Sequence, residues 1–180
     1  MMDVKEETET KLVLSCFLPD MEQGFPGNMT ITVNYTLTDD DTLVLDFTGI
    51  SDKNTVCNLT NHMYFNLDGH DQGNACDNSL QLNCSYMTPF DSAESIPNGT
   101  LRAVEGTPMD FLKLHPINDK INEDYDQLSY GAGYDHNYCI DNYDGSMQVA
   151  AIAKGNQTGI CMEIATDCPG IQLYAGNFIG

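Results

Sequence analysis

Basic residues are scarce: 7 Lys and Arg stand against 27 Asp and Glu, a formal net charge of −20 over 180 residues. Such a chain repels a phosphate backbone or an anionic membrane surface instead of neutralising it, so neither nucleic acid nor membrane is expected as a partner. Long apolar runs are also missing. No stretch approaches the ~18 consecutive apolar residues that a membrane helix needs. The opening Met1-Met2-Asp3-Val4-Lys5-Glu6-Glu7 is acidic and has no apolar core of the secretory kind. With Met1 as the start, a cytoplasmic protein is expected. The seven cysteines, Cys16, Cys57, Cys76, Cys84, Cys139, Cys161 and Cys168, include no C-x-x-C pair, which excludes a zinc knuckle and a thioredoxin-type motif. An odd count without a leader reads as reduced thiols. Six N-x-S/T sequons, at Asn28, Asn34, Asn58, Asn83, Asn98 and Asn156, point the other way, towards secretion. In a chain with this much Asn, Ser and Thr, such triplets also arise by chance.

A long 3.6-residue stripe is absent too, and the dominant period is two, the mark of strands with one buried face. Met29, Ile31, Val33, Tyr35 and Leu37 alternate with polar residues, as do Leu43, Leu45 and Phe47. Thr38-Asp39-Asp40-Asp41 between them predicts a β-hairpin. Further strands are predicted over residues 12–18, 81–87, 146–153, 160–164 and 171–175, with a short helix or loop over 114–128. Gly and Pro clusters punctuate the rest, including Gly24-Phe25-Pro26-Gly27, Gly131-Ala132-Gly133 and Pro169-Gly170. With no internal repeat, no low-complexity linker and no composition shift, one all-β unit of sandwich or barrel type is expected.

Three segments carry chemistry. If Asn58 to Leu67 is extended, Leu59, Met63, Phe65 and Leu67 share one face with Asn61, and His62, Tyr64 and Asn66 share the other. An imidazole, a phenol and a carboxamide at period two suit a ligand surface; they also suit a solvent-facing strand side. After Gly131-Ala132-Gly133, Asp135 and His136 stand at the mouth of a strand. A carboxylate there can accept from two hydroxyls at once, or can cap the strand as an Asx-type turn. Past Pro169-Gly170, Gln172 and Tyr174 share a strand face, either in a site or on the surface.

Together these segments resemble the aldose 1-epimerase family. The run N-L-T-N-H-x-Y-F-N-L at Asn58 to Leu67 is similar to its signature. In order follow Thr88-Pro89, Ile96-Pro97-Asn98-Gly99, Val104 to Phe111 and Gly133-Tyr134-Asp135-His136-Asn137, then Thr166, Pro169-Gly170, Gln172, Tyr174 and Gly176-Asn177-Phe178. Upstream, Gly24-Phe25-Pro26-Gly27 matches the family's G-[YF]-P-G turn. The likeness covers nearly everything after residue 11.

The resemblance implies an all-β fold, a large antiparallel β-sandwich of the galactose mutarotase-like supersandwich type, here incomplete at both ends. It assigns residues 1–10 to an acidic, disordered segment and 11–180 to the central part of that domain. It implies interconversion of the α and β anomers of free hexoses such as galactose and glucose by acid–base ring opening, without cofactor or metal and by a monomer. His62 takes the general-acid position, which suits an imidazole that exchanges protons near neutrality. His62, Met63, Tyr64, Asp135 and Gln172 are the expected substrate contacts, with His136 a structural neighbour of Asp135. The family's general base, a glutamate beyond the G-N-F segment, has no match: Glu163 is the only glutamate after Glu123 and precedes the Pro-Gly turn. The family's arginine and second histidine, from strands before Lys11, are unmatched too, and Arg102 is no stand-in. The chain reads as a partial product of a mutarotase gene in preference to a truncated paralogue, with exposed strand edges, poor stability and little activity expected.

The rival reading is a non-catalytic carbohydrate-binding or regulatory module derived from a mutarotase. A sugar-phosphate epimerase would want more basic residues for its phosphate. A glycoside hydrolase would want a distinct carboxylate pair, and none stands out.

Overall fold

Most of the period-two runs form strands with close to the expected bounds. The computed structural model describes residues 2–179; Met1 and Gly180, the outer ends of the two expected segments, lie outside the described residues. The chain divides into two compact units, Met1–Met63 and Tyr64–Gly180, where one was expected. The boundary falls inside the Asn58 to Leu67 run, which composition alone does not mark.

The first unit is a meander of β1 (Asp3–Glu7), β2 (Lys11–Leu18), β3 (Met29–Leu37) and β4 (Leu43–Ser51), all antiparallel in that order. Register places Leu14, Val33 and Phe47 side by side, and Leu12, Tyr35 and Leu45 next to them, so the alternating apolar residues of three strands meet on one face. The predicted hairpin is present, closed at Leu37 opposite Leu43. Within the segment expected to be disordered, Asp3–Glu7 forms a strand paired along β2. Charged side chains suit that edge position, where Lys5 meets Asp3 and Lys11 meets Glu6. The G-F-P-G turn is held by Asp20, which accepts from Gly27 N at 2.6 Å and from Lys53 Nζ at 2.6 Å. The Lys53 hydrogen bond draws the Asp20 carboxyl below its ordinary pKa.

The second unit holds two four-stranded antiparallel sheets. One has the order β11 (Cys161–Thr166), β10 (Gln148–Lys154), β5 (Ser79–Leu82), β8 (His115–Pro116). The other runs β12 (Gly170–Tyr174), β9 (Asp135–Cys139), β6 (Tyr86–Met87), β7 (Arg102–Ala103). The single strand expected over residues 81–87 is therefore two strands in different sheets. Asn83 N donates to Ala150 O, and Ser85 N to Asp141 Oδ1, so the chain turns the corner at Cys84, 1% exposed, whose thiol burial pushes up to about 12. Residues 114–128 resolve into β8, a 3-10 turn (Ile117–Asp119) and the start of the short helix α1 (Asp126–Gly131).

Leu80, Leu82, Met87, Val104, Met109, Phe111, Tyr134, Tyr138 and Ala150 pack together as the core of this unit. Phe111 is its pivot: its ring meets Tyr134 edge-on at 5.1 Å and Tyr138 at 6.4 Å. Each buried phenol needs an acceptor. Tyr134 donates to Pro108 O at 2.9 Å and Tyr138 to Met109 O at 3.2 Å.

Candidate functional site

Strand β9 sorts its side chains by the pleat. His136 and Tyr138 are buried in the core, while Asp135, Asn137 and Cys139 stand half-buried on the opposite face. β12 lies antiparallel, with Tyr174 opposite Asp135 and Gln172 opposite Asn137. Directly opposed residues share a face, so Asp135, Asn137, Gln172 and Tyr174 form one polar and aromatic surface. Gln172 Nε2 reaches diagonally to Asp135 Oδ1 at 2.9 Å. Tyr64 completes this surface, its ring 6.2 Å from that of Tyr174 and inclined at 61°.

The glycine-rich turn ahead of β9 gives Asp135 its position. α1 ends on Ala132 in the left-handed region (φ 54°), and Gly133 follows at φ 126°. A side chain at Gly133 would strike the Asn177 carboxamide. Asn177 Nδ2 donates to Gly131 O at 2.9 Å and Tyr134 O at 3.0 Å, so the G-N-F segment is fastened onto this turn. Gly170 serves a similar need, since a Cβ there would meet the Asn137 side chain.

Beneath Asp135, His136 is fully buried and stacks on Phe90 at 4.3 Å. The Asp135 backbone N–H donates to His136 Nδ1 at 3.2 Å. Nε2 is buried without a hydrogen-bond partner among the described residues. Burial pushes the imidazole pKa down to about 4, against the smaller opposing pull of Asp135. At neutral pH this ring is uncharged and acts as an acceptor under the site. Phe90 is itself clamped, both its backbone groups being bound by the buried Gln127 carboxamide.

The Asn58 to Leu67 run differs from expectation. Residues 54–66 lie in no strand or helix, and Met63 and Phe65, expected on a hydrocarbon face, are 41% and 49% exposed. Without a ladder partner, the alternation buries neither face. His62, Met63 and Tyr64 are all exposed, Tyr64 at 60%. In the first unit Asn61 Oδ1 accepts from Met63 N at 2.9 Å, and Asn61 Nδ2 approaches Tyr35 Oη at 3.4 Å. Thus the structure joins Asp135 to Gln172 and sets Tyr64 against Tyr174. Sequence reasoning missed Asp68 and Asn78, which interlink with Asn66 at the end of the run. Its Asp68-Gly69 pair reads only as a turn. Among the described residues no cluster of His, Cys, Asp or Glu could hold a metal ion, and no helix is long and apolar enough to cross a membrane.

A family model described as Aldose 1-epimerase matches residues 3–180. The chain is 34% identical to the aldose 1-epimerase of Haemophilus influenzae over 179 residues, which cover 98% of this chain and 51% of that protein. It is 34% identical over 161 residues to the galactose mutarotase of Mus musculus, covering 89% of this chain and 45% of that one. Among solved structures, the galactose 1-epimerase of Lactobacillus acidophilus superimposes with a TM-score of 0.83 at 30% identity, over 98% of this chain and 51% of that chain. The chain spans about half the length of the relatives it matches.

Proposed function

The chain belongs to the aldose 1-epimerase family, and on that premise we propose that it carries the sugar-binding face and the general acid of a mutarotase for free hexoses such as galactose and glucose. His62 gives its proton to the ring oxygen as the C1–O bond breaks, while a base takes the proton of the anomeric hydroxyl. The open aldehyde rotates about C1–C2, and closure on the other face returns both protons. Tyr64 flanks the sugar beside Tyr174. Asp135 receives hydroxyls: a carboxylate offers roughly four acceptor positions, and the Gln172 bond takes one of them.

The Asp135–Gln172 hydrogen bond on an outward strand face, beside Tyr174 and Tyr64, is the observation that carries this reading. A polar pair prealigned across two strands costs little ordering when a polyol arrives. We assign the base role to none of residues 1–180; a second reading, a carbohydrate-binding module, rests on the same Asp135–Gln172 face. Polarimetry of freshly dissolved α-galactose, with calorimetric titration of the same chain, tests both. Binding without acceleration over the spontaneous rate is expected. Acceleration that vanishes on His62→Gln would place the base inside the chain. Absence of binding would contradict both readings.

A further inference from the structure

Asp68 is 6% exposed, yet its carboxylate is held by neutral donors. The turn between β10 and β11 wraps around it. Oδ1 accepts from Gln157 N at 2.8 Å and Thr158 N at 3.0 Å, and Oδ2 from Asn156 N at 3.2 Å and Asn78 Nδ2 at 3.3 Å. Three successive backbone N–H groups converging on an anion form a nest, here filled by the chain's own side chain. The fit is close. A Cβ at Gly155 would lie 2.6 Å from Asp68 Oδ1 and 2.9 Å from Leu67 O. The Thr158 N–H, chief among these donors, holds the Asp68 carboxyl below its usual pKa despite burial.

The same knot fixes the neighbouring chain. Thr158 Oγ1 donates to Leu67 O at 2.8 Å, Leu67 N to Asn78 Oδ1 at 2.8 Å, and Asp68 N to Asn66 Oδ1 at 3.1 Å. Residues 66–68 are thereby bound to a hairpin of the sandwich, while residues 54–66 have no ladder of their own. Tyr64 stands only two residues before this knot.

We propose that Asp68 is a positioning residue for the sugar site: by locking the end of the Asn58 to Leu67 run onto the β10–β11 turn, it sets the Tyr64 ring against Tyr174. This rests on the reading of Tyr64 as a site residue. Asp68 itself touches no substrate. Its action is on the geometry of a side chain that does.

Asp68→Asn is the test. Both carboxylate oxygens accept from N–H groups, so in either flip the new amide turns its NH2 towards a donor. Three readouts are taken on the purified chain: the nuclear Overhauser contact between labelled Tyr64 and Tyr174 rings, galactose affinity, and thermal unfolding. The expected result is loss of the ring contact and about tenfold weaker galactose binding, from an unsatisfied buried donor, with the β9 and β12 amide signals unchanged. An intact ring contact and unchanged affinity would overturn the proposal, whatever happens to the melting temperature. Should Asp68→Asn fail to fold, Thr158→Val removes the hydroxyl's bonds to Leu67 O and to Asp68 Oδ1 and so loosens the same lock. It is expected to weaken the ring contact and reduce affinity by about threefold; no change in either would overturn the proposal equally. If the unaltered chain binds no galactose, the sugar-site reading fails on its own, and the ring contact still decides the role of Asp68.

Discussion

Gln172 Nε2 donates to Asp135 Oδ1 at 2.9 Å, tying the first residue of β9 to the middle of β12. The two are diagonal neighbours, since Tyr174 and not Gln172 lies opposite Asp135. The amide therefore leans along the face towards Asp135 and orients the carboxylate. Replacing Asp135 with Ala is expected to weaken galactose binding by about 10- to 100-fold, the value of hydrogen bonds to a charged acceptor. Gln172→Leu is expected to cost about fivefold, through a less ordered carboxylate. Calorimetric titration of the two variants checks both.

In the proposed reaction the main part of His62 is to move a proton. His62→Gln is expected to leave galactose affinity within about twofold while removing any anomerisation above the spontaneous rate. Polarimetry and titration on one preparation separate the two effects.

His136 makes stability depend on pH. Its folded-state pKa, about 4, lies below the ordinary histidine value. Between those values the unfolded chain binds the proton and the folded chain does not. Stability is therefore complete above ~6.5, falls as pH drops towards 4, and levels off below, with a slope of at most about 1.4 kcal/mol per pH unit from this group. Denaturant unfolding across that range should show the fall, and His136→Phe should flatten it.

Phe111 anchors the core of the second unit. Phe111→Ala is expected to cost about 3–5 kcal/mol, since a cavity opens between Tyr134 and Tyr138. Tyr138→Phe, which loses only the bond to Met109 O, is expected to cost about 1 kcal/mol. Chemical denaturation ranks them.

Strands with one buried face were legible because alternation is their physical signature: Met29–Leu37 and Leu43–Ser51 carry it, and so does the turn between them. The shared face of Gln172 and Tyr174 was legible for the same reason. What pairs with that face was not, since register depends on which strands meet, and no local pattern announces that β9 lies beside β12. Alternation misled at residues 81–87, where Cys84 is buried at a corner between sheets and not along a strand. It misled again at Asn58 to Leu67, where the pattern is present without a ladder. Asp68 left no trace at all: the donors that bury it come from a turn some 90 residues away.

The side-chain amide of Gln172 offers the most direct reading of whether the β9–β12 face receives a sugar. Galactose titrated into the chain, followed by NMR, should shift that amide saturably, and Asp135→Ala should abolish the response. Galactose that leaves the Gln172 amide and the β9 and β12 signals unmoved, or that shifts them equally without the Asp135 carboxylate, would contradict the account.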